Sequence, residues 1–199
     1  MNKNHSIPQE ESAIIAARKQ AYEEKCKSIY SAFTYVGGKR YHFAEREILA
    51  AWIQVRMPSE FIEMPSAFAR VKYPSEDRPD IITTSFDLSV NFAFSLLSEP
   101  ASDEGLTINR NASREAMQKV FPQNTYMESQ ADYTKESRLY TWFDYYGPTL
   151  DVDIYTVNAF TRIKQRLLHI MFCCAKSDSE HWKPAVLEML SSIAESKRL

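Results

Sequence analysis

The chain has 199 residues, of which 44% are hydrophobic and 13% aromatic, so it is long enough to bury a substantial core. Its formal net charge is -2 with acidic and basic residues interspersed, which argues against a protein that neutralises many phosphates, and we expect no nucleic-acid partner. No apolar run reaches membrane-spanning length and residues 1–6 lack the order of a secretory signal. We therefore expect no membrane insertion and a cytoplasmic location.

Cysteine and glycine usage exclude two further classes. Cys26 and the adjacent pair Cys173 and Cys174 form no regular disulfide framework, which fits a cytoplasmic protein. The chain has only four glycines, whereas phosphate-binding loops need several close together so that backbone amides can approach the anion. The sequence therefore contains no nucleotide-binding motif, and we expect no cofactor.

The first half of the chain predicts one helix followed by short strands. Apolar residues at helical spacing predict a helix over residues 8–30. Gly37 and Gly38 then predict a hairpin turn between strands at 30–36 and 39–43, because glycine supplies the positive φ angles of tight turns. Alternating apolar residues predict a strand over 51–57, which Pro58 ends, and a helical turn after Pro65.

The middle of the chain contains its clearest strand pattern. After a strand at 81–85, apolar residues alternate from Leu88 to Leu96, which predicts a strand over 88–97 with one face on the core. Residues 98–110 are predicted to form a polar loop. Asn111 or Ser113 is then predicted to cap a helix that ends near Phe121.

The last part predicts four strands and a helix. The strands are expected at 125–134, 138–146, 150–158 and 162–174, with a tight turn near Ala159 and Phe160. Ser177 or Ser179 is then expected to cap a helix whose apolar stripe, Trp182 to Ile193, packs on the sheet. Runs of strands interrupted by single helices predict an α+β fold with an antiparallel sheet of about six to eight strands. We expect an N-terminal tail and helix over 1–30 and a single α+β domain over 31–199.

Two segments resemble the PsbP-like superfamily. The first is the strand at 53–58 that ends in a proline and leads to a second apolar stretch at 61–64, and the second is the strand ending at Cys174 followed by a polar cap and a helix. The resemblance covers residues 30–195. It implies a curved antiparallel sheet flanked by helices and used mainly as a non-enzymatic binding scaffold. The superfamily includes an extrinsic subunit of photosystem II, a Ran-binding nuclear-import factor, DcrB lipoproteins and chaperones for secreted effectors.

The polar residues that might carry chemistry have structural explanations. The four histidines are dispersed, so the sequence predicts no metal site, although His42 lies three residues before Glu45. Adjacent cysteines in a strand point to opposite faces and are expected to be core residues. Asp151 and Asp153 share one face of a predicted strand, and pairing of Asp153 with Arg166 on the next strand would explain both without catalysis.

Two segments are candidate protein-binding surfaces. The aromatic strand around 140–146 places Tyr140, Trp142 and Tyr146 on one face, which is either covered by a helix or available to a partner. The loop 72–79 contains Tyr73 and Arg78, and its two prolines reduce the entropy lost on binding. The alternative is that this loop is only a well-ordered turn and binds no partner.

The leading prediction is a non-enzymatic protein-binding domain, such as an adaptor, a chaperone or an immunity-type protein. No catalytic, metal or cofactor residue is assigned, and the partner's identity and the oligomeric state stay open. An enzyme of unrecognised type that uses Asp151, Asp153 or His42 is one alternative. A binder of an apolar small molecule between sheet and helix is the other.

Overall fold

A seven-stranded antiparallel sheet forms the centre of the molecule, with strand order β5-β6-β7-β11-β10-β9-β8. The computed structural model describes residues 28–197. A three-stranded sheet, β12-β4-β3, and the hairpin β1-β2 lie beside it. The strands are β1 Thr34–Val36, β2 Lys39–Tyr41, β3 Phe43–Ile48, β4 Ile53–Pro58, β5 Ile62–Glu63, β6 Ile81–Thr84, β7 Asn91–Pro100, β8 Thr125–Tyr133, β9 Leu139–Gly147, β10 Ile154–Ile163, β11 Arg166–Ala175 and β12 Ala194–Glu195.

Within residues 28–197, three α-helices flank the large sheet: α1 Ser66–Lys72, α2 Asp103–Val120 and α3 Ser179–Ser191, the last preceded by a 3-10 turn at Lys176–Asp178. The strands and helices together form an α+β fold, as the sequence predicts. The helix predicted over residues 8–30 lies outside the described residues, except for 28–30, which form a turn. No helix in the described part of the chain is long and apolar enough to cross a membrane.

The main core lies between one face of the large sheet, helix α3 and the three-stranded sheet. We call this side of the large sheet its first face, and the other side its second face. Phe92 and Phe94 of β7 and Phe172 of β11 are fully buried there, and the predicted α3 stripe packs onto them. The Trp182 ring of α3 lies 5.6 Å from Phe172 and 5.2 Å from Tyr41, centroid to centroid. Packing of this stripe on the sheet is therefore confirmed.

Several predicted elements agree with the structure. The hairpin β1-β2 turns at Gly37 and Gly38, whose φ angles are +58° and +76°. Strand β4 ends at Pro58, and α1 follows Pro65. Strand β7 begins later than predicted, at Asn91, because Leu88 has a φ of +61° and belongs to the preceding turn.

The predicted loop at 98–110 is wrong, because α2 begins at Asp103. Ser102 caps this helix, since its side chain accepts a hydrogen bond from the Gly105 N–H at 3.1 Å. Asp103 and Glu104 then occupy the first turn, where carboxylates interact favourably with the helix dipole. Gly105, expected to be in a loop, is inside the helix.

The predicted turn at Ala159 and Phe160 is also wrong. Strand β10 continues to Ile163, and the chain turns at Lys164 and Gln165, with φ angles of 45° and 64°. This register places Arg166 opposite Ile163, so the predicted pairing of Asp153 with Arg166 does not form. Asp153 precedes β10 and instead forms an ion pair with Lys176 at 3.0 Å.

Candidate functional site

Two of the five predicted partner-binding residues lie in the core. Tyr140 and Trp142 are each only 2% exposed on the first face of β9. Helix α3 covers them, and Lys183 Nζ of that helix lies 5.3 Å from the Trp142 ring centroid. The alternative of coverage by a helix is therefore the one observed. Neither ring is accessible to a partner, because the α3 stripe packs on this face.

Tyr146, the third predicted residue of β9, is half-buried near the end of the strand. Its hydroxyl lies 3.2 Å from Ser179 Oγ, and Lys176 Nζ lies 5.0 Å from its ring centroid. This end of the large sheet carries the β6–β7 turn at 85–90 and the β9–β10 connection at 148–153. We call it the β6–β7 end.

The loop at 72–79 is ordered by its own contacts. Tyr73 is half-buried and packs against the small buried cluster that includes Ala69 and Ile82, and burial holds the pKa of its phenol above the ordinary value. Arg78 folds back on the loop, where its Nε donates a hydrogen bond to the Ser75 carbonyl at 3.2 Å. Tyr73 therefore lies at the β6–β7 end beside α1, and Arg78 orders the loop.

The second face of the large sheet is incompletely covered. Helix α1 packs on β6 and β7 through Ala69, and α2 lies against β9 and β10. Strand β11 passes between the two helices, and three of the side chains it directs to this face, His169, Met171 and Cys173, are only half-buried, whereas Leu167 is buried. The neighbouring residues on its other face are fully buried. We call the strip of surface that His169, Met171 and Cys173 form the β11 groove.

A row of polar side chains crosses six strands beside this groove. The pairing register aligns Thr84, Asn91, Cys173, Thr156, Tyr145 and Tyr126 on the second face. Four of the five buried polar side-chain atoms that lack a hydrogen bond in the described residues lie on this face: Asn91 Oδ1, Asn158 Nδ2, Tyr126 OH and Arg114 Nε. The Asn158 side chain also lies beside that of Tyr145.

Packing on this face is incomplete because helix α2 buries few of its own side chains. Although the helix has 18 residues, only Leu106 is fully buried. Buried polar groups are normally hydrogen-bonded, and most helical stability comes from packing of an apolar face. Helix α2 is consequently held less firmly than α3, which buries six residues.

The titratable groups of the groove are neutral near pH 7. Burial raises the pKa of the Cys173 thiol to about 11 and lowers the pKa of His169 to about 4. His169 Nε2 lies 2.8 Å from Asn158 Oδ1, and its ring stacks on Phe160 at 4.9 Å. A nucleophilic thiolate would require a lowered thiol pKa instead of a raised one. A general base active near pH 7 would require an imidazole pKa that is lowered much less. The thiol of Cys173 and the imidazole of His169 are therefore both uncharged at this pH.

A buried charge network lies on the first face of the large sheet, beneath α3. Asp144, 1% exposed, accepts hydrogen bonds from Tyr155 OH at 2.8 Å and Glu128 N at 2.7 Å, and its Oδ2 lies 2.8 Å from Lys183 Nζ. Burial, followed by the hydrogen bond to Asp144, raises the pKa of Tyr155. Partial burial lowers the pKa of Lys183, but its hydrogen bonds to Asp144 and Glu128 outweigh this effect and hold the pKa above its ordinary value. Each group in the network has a hydrogen-bond or ion-pair partner, so the network holds α3 against the sheet.

The residues considered for an enzyme do not converge. His42 is exposed beside the small sheet, where its Nδ1 lies 3.2 Å from Ser59 Oγ. Asp151 is exposed in the β9–β10 connection, and Asp153 is paired with Lys176. Within residues 28–197, no group of three or more histidine, cysteine or acidic residues could hold a metal ion.

Exposed apolar side chains occur in separate connections and helix ends at the β6–β7 end, and the sequence interpretation did not identify them as a surface. Phe86 is 90% exposed in the β6–β7 turn and Leu150 is fully exposed in the β9–β10 connection. Val71 near the end of α1 is 82% exposed, and Val120 at the end of α2 is 66% exposed. We call these four residues the apolar rim. The large aromatic residue Phe86 between the polar residues Ser85 and Asp87 is the sequence signal that could have revealed part of it.

The turn that carries Phe86 is tightly ordered. Asp87 Oδ1 accepts hydrogen bonds from Ser85 Oγ at 2.6 Å and Ser89 Oγ at 2.8 Å. These bonds, from Ser85 and then Ser89, lower the pKa of Asp87 to about 2. Lys72 at the end of α1 donates a hydrogen bond to the Leu88 carbonyl and so links the turn to the helix. The Phe86 ring is therefore displayed on a fixed backbone.

Several solved structures have a similar fold. The solution structure of cyanobacterial PsbP (CyanoP) from Synechocystis sp. PCC 6803 aligns with 81% of this chain and 97% of its own, at 14% identity and a TM-score of 0.56. The chain has the PsbP-like fold. LpqN, a Mycobacterium tuberculosis protein involved in cell envelope biogenesis, aligns over 78% of this chain and 92% of its own, at 8% identity and a TM-score of 0.51.

A third similar structure comes from Bacteroides thetaiotaomicron. It covers 77% of this chain and 48% of its own length, at 11% identity and a TM-score of 0.52. No protein-family model matches the sequence, and no curated protein does. At these identities the likeness shows the PsbP-like fold alone, so the function must be argued from the surface of this chain.

Proposed function

We propose that this chain is a non-enzymatic protein-binding domain that holds its partner at the β6–β7 end. The carrying observation is the apolar rim, where Phe86 and Leu150 are almost fully exposed. Single exposed apolar residues are ordinary, but several at one end of a sheet are typical of an interaction surface. The partner would be a protein that presents an apolar segment to the rim, as a client of an adaptor, chaperone or immunity-type protein does.

The order of the Phe86 turn supports this proposal. Association costs free energy when loops and side chains must be fixed in one conformation. Here Asp87 and its hydrogen bonds to Ser85 and Ser89 already fix the turn in the free protein. Aromatic residues on such rigid supports are frequent anchors of protein interfaces.

Two of the predicted binding residues border the same surface. Tyr73 follows α1, and Tyr146 lies near the end of β9, so both lie at the β6–β7 end. The β11 groove opens between α1 and α2 and offers half-buried Met171 and Cys173 as further contacts. A partner segment anchored at Phe86 would extend into this groove. The proposal keeps Tyr73 and Tyr146 as contacts, and leaves Arg78 as a residue that orders the adjoining loop.

A cytoplasmic location belongs to the same proposal. Cys173 and Cys174 are free thiols, and neither forms a disulfide in the described part of the chain. Reduced thiols fit a compartment kept reducing.

The experiment compares two double variants in capture from native lysate with quantitative mass spectrometry. Phe86→Ser with Leu150→Ser removes the rim without disturbing the core, because both side chains face solvent. Ile108→Ser with Tyr133→Ser is the matched control, since both residues are also exposed but lie away from the rim, in the first half of α2 and at the far end of β8. The proposal predicts a stoichiometric protein that the natural chain and the control retain and the rim variant loses at least tenfold. Equal recovery by both variants would place the interface elsewhere and refute the rim.

A further inference from the structure

A second site lies at the opposite end of the large sheet, where the β3–β4 hairpin meets β6, β7 and β11. The space there is an open groove of about 520 Å³, within the size range of small-molecule sites. Most of its lining is apolar, and Asp80 and Arg166 are the charged members. The lining residues are Leu49, Ala50, Trp52, Asp80, Ile81, Leu96 and Arg166.

Two cations, Arg166 and Lys164, stand at this groove. The Arg166 guanidinium carbon lies 5.7 Å, and Lys164 Nζ 4.7 Å, from the Trp52 ring centroid. Arg166 uses Nε and Nη2 on the backbone carbonyls of Leu97 and Leu96, both at 2.9 Å, which leaves Nη1 available. Among the described residues, neither cation forms an ion pair within 4.0 Å.

The nearby carboxylates are already engaged by other groups. Asp80 Oδ2 accepts a hydrogen bond from Leu96 N at 2.8 Å, which anchors the loop before β6 to β7. Glu195 Oε1 accepts hydrogen bonds from Arg138 Nη1 at 2.6 Å and from the backbone N–H of Lys164 at 2.8 Å. The Lys164 ammonium interacts electrostatically with Glu195 but forms no ion pair within 4.0 Å in the described residues, so it can meet a further anion.

The wall formed by the β3–β4 connection is strained. Leu49, Ala50 and Ala51 have φ angles of 52°, 53° and 63°, so three consecutive residues without a glycine are left-handed. Each such residue costs about 1–2 kcal/mol, and such strain tends to occur at functional sites. The connection keeps the Leu49 side chain and the Trp52 ring in the lining of the groove.

We infer that this groove binds a small organic anion in which a carboxylate is attached to an apolar body. The carboxylate would pair with Arg166 Nη1 and Lys164 Nζ, and the apolar body would lie against Leu49, Ile81 and Leu96. A guanidinium and a carboxylate form charge-assisted hydrogen bonds that a neutral amide cannot replace. A free carboxylic acid and the C-terminal residue of a peptide carry this same chemistry, and the test separates them.

Binding can be followed through Trp52 fluorescence. The chain has three tryptophans, and Trp142 and Trp182 are 2% and 3% exposed, so Trp52 is the tryptophan that a ligand in the groove would shield from iodide. The probes are hexanoate with hexanamide, and N-acetyl-dileucine with its C-terminal amide, titrated into the natural chain. A Trp52→Phe variant assigns the signal to this indole.

The inference predicts that at least one acid protects Trp52 and binds at least tenfold more tightly than its amide, with weaker binding at higher salt. Lys164→Met should weaken the acid at least fivefold while leaving the Tm within a few degrees, because Lys164 is exposed in a turn. Preference for hexanoate indicates a free acid, and preference for the dipeptide indicates a peptide end. Equal affinity of acids and amides, or no protection by any probe up to millimolar concentration, would overturn the site.

Discussion

Lys183 Nζ lies 2.8 Å from Oδ2 of Asp144, a carboxylate that is buried beneath α3. The same ammonium lies 2.5 Å from Glu128 Oε1, so one side chain of α3 joins two strands of the large sheet. This pair holds α3 over Tyr140 and Trp142 and thereby closes the aromatic face that the sequence offered as a binding surface. Binding must use the surface that remains open.

Removing Lys183 should destabilise the fold. In Lys183→Met the Asp144 carboxylate stays buried without a counter-charge, and breaking a buried pair in this way typically costs 3–5 kcal/mol. We expect a loss of about 3 kcal/mol in the free energy of unfolding, measured by urea denaturation, because Tyr155 and Glu128 still donate to Asp144. Lys176→Met is the control, since its pair with Asp153 is exposed and should contribute about 1 kcal/mol or less. Similar losses in both variants would contradict a structural role for the buried pair.

His169 should make the fold sensitive to mild acid. Burial lowers its pKa from 6.5 to about 4 in the folded chain, so the unfolded chain binds the proton first as the pH falls. Its contribution to stability is complete above pH 6.5 and is lost as the pH falls toward 4. His169→Gln removes the titration and keeps a group that can hydrogen-bond to Asn158. We expect the free energy of unfolding to fall more steeply from pH 6.5 to 4 in the natural chain than in this variant; parallel curves would show that His169 is not the cause.

Glycine should relieve the strain in the β3–β4 connection. Ala50 is exposed with a φ of 53°, a conformation that glycine adopts without steric cost. Ala50→Gly should therefore raise the free energy of unfolding by about 1 kcal/mol, after subtraction of the extra entropy of the unfolded chain. Ala44→Gly, within β3, should lower it by about 0.5–1 kcal/mol. If both substitutions destabilise the protein equally in thermal unfolding, Ala50 is not strained.

Local patterns predicted the elements in which side chains alternate or helical stripes repeat. The apolar alternation through Phe92 and Phe94 identified β7, and the α3 stripe identified its packing face. The start of α2 was missed because Gly105 suggested a loop, although Ser102 and the acidic first turn form a helix-start pattern.

The turn between β10 and β11 carried no local signal. Lys164 and Gln165 are left-handed without being glycine or asparagine, so their residue types do not indicate a turn. Placing the turn at Ala159 and Phe160 instead changes every residue pair between β10 and β11, which is why Asp153 and Arg166 were wrongly paired. The same low glycine content that excluded phosphate loops therefore also concealed turns.

The open surface depends on contacts between distant segments. Phe86, Leu150, Val71 and Val120 belong to four separate connections and helix ends, and only the strand order brings them to one end of the sheet. The β11 groove likewise depends on where α1 and α2 pack, which periodicity does not specify. Burial of Tyr140 and Trp142, in contrast, follows from the alternative that a helix covers the aromatic strand.

Site-specific photo-crosslinking tests the central claim most directly. p-Benzoylphenylalanine would replace Phe86 in one version of the full chain and Tyr133, an exposed aromatic residue at the far end of β8, in another. The account predicts that the probe at position 86 crosslinks in native lysate to the protein that capture retains with the natural chain and loses with the rim variant, and that the probe at position 133 does not. Crosslinking of that protein from position 133 and not from position 86 would contradict binding at the β6–β7 end.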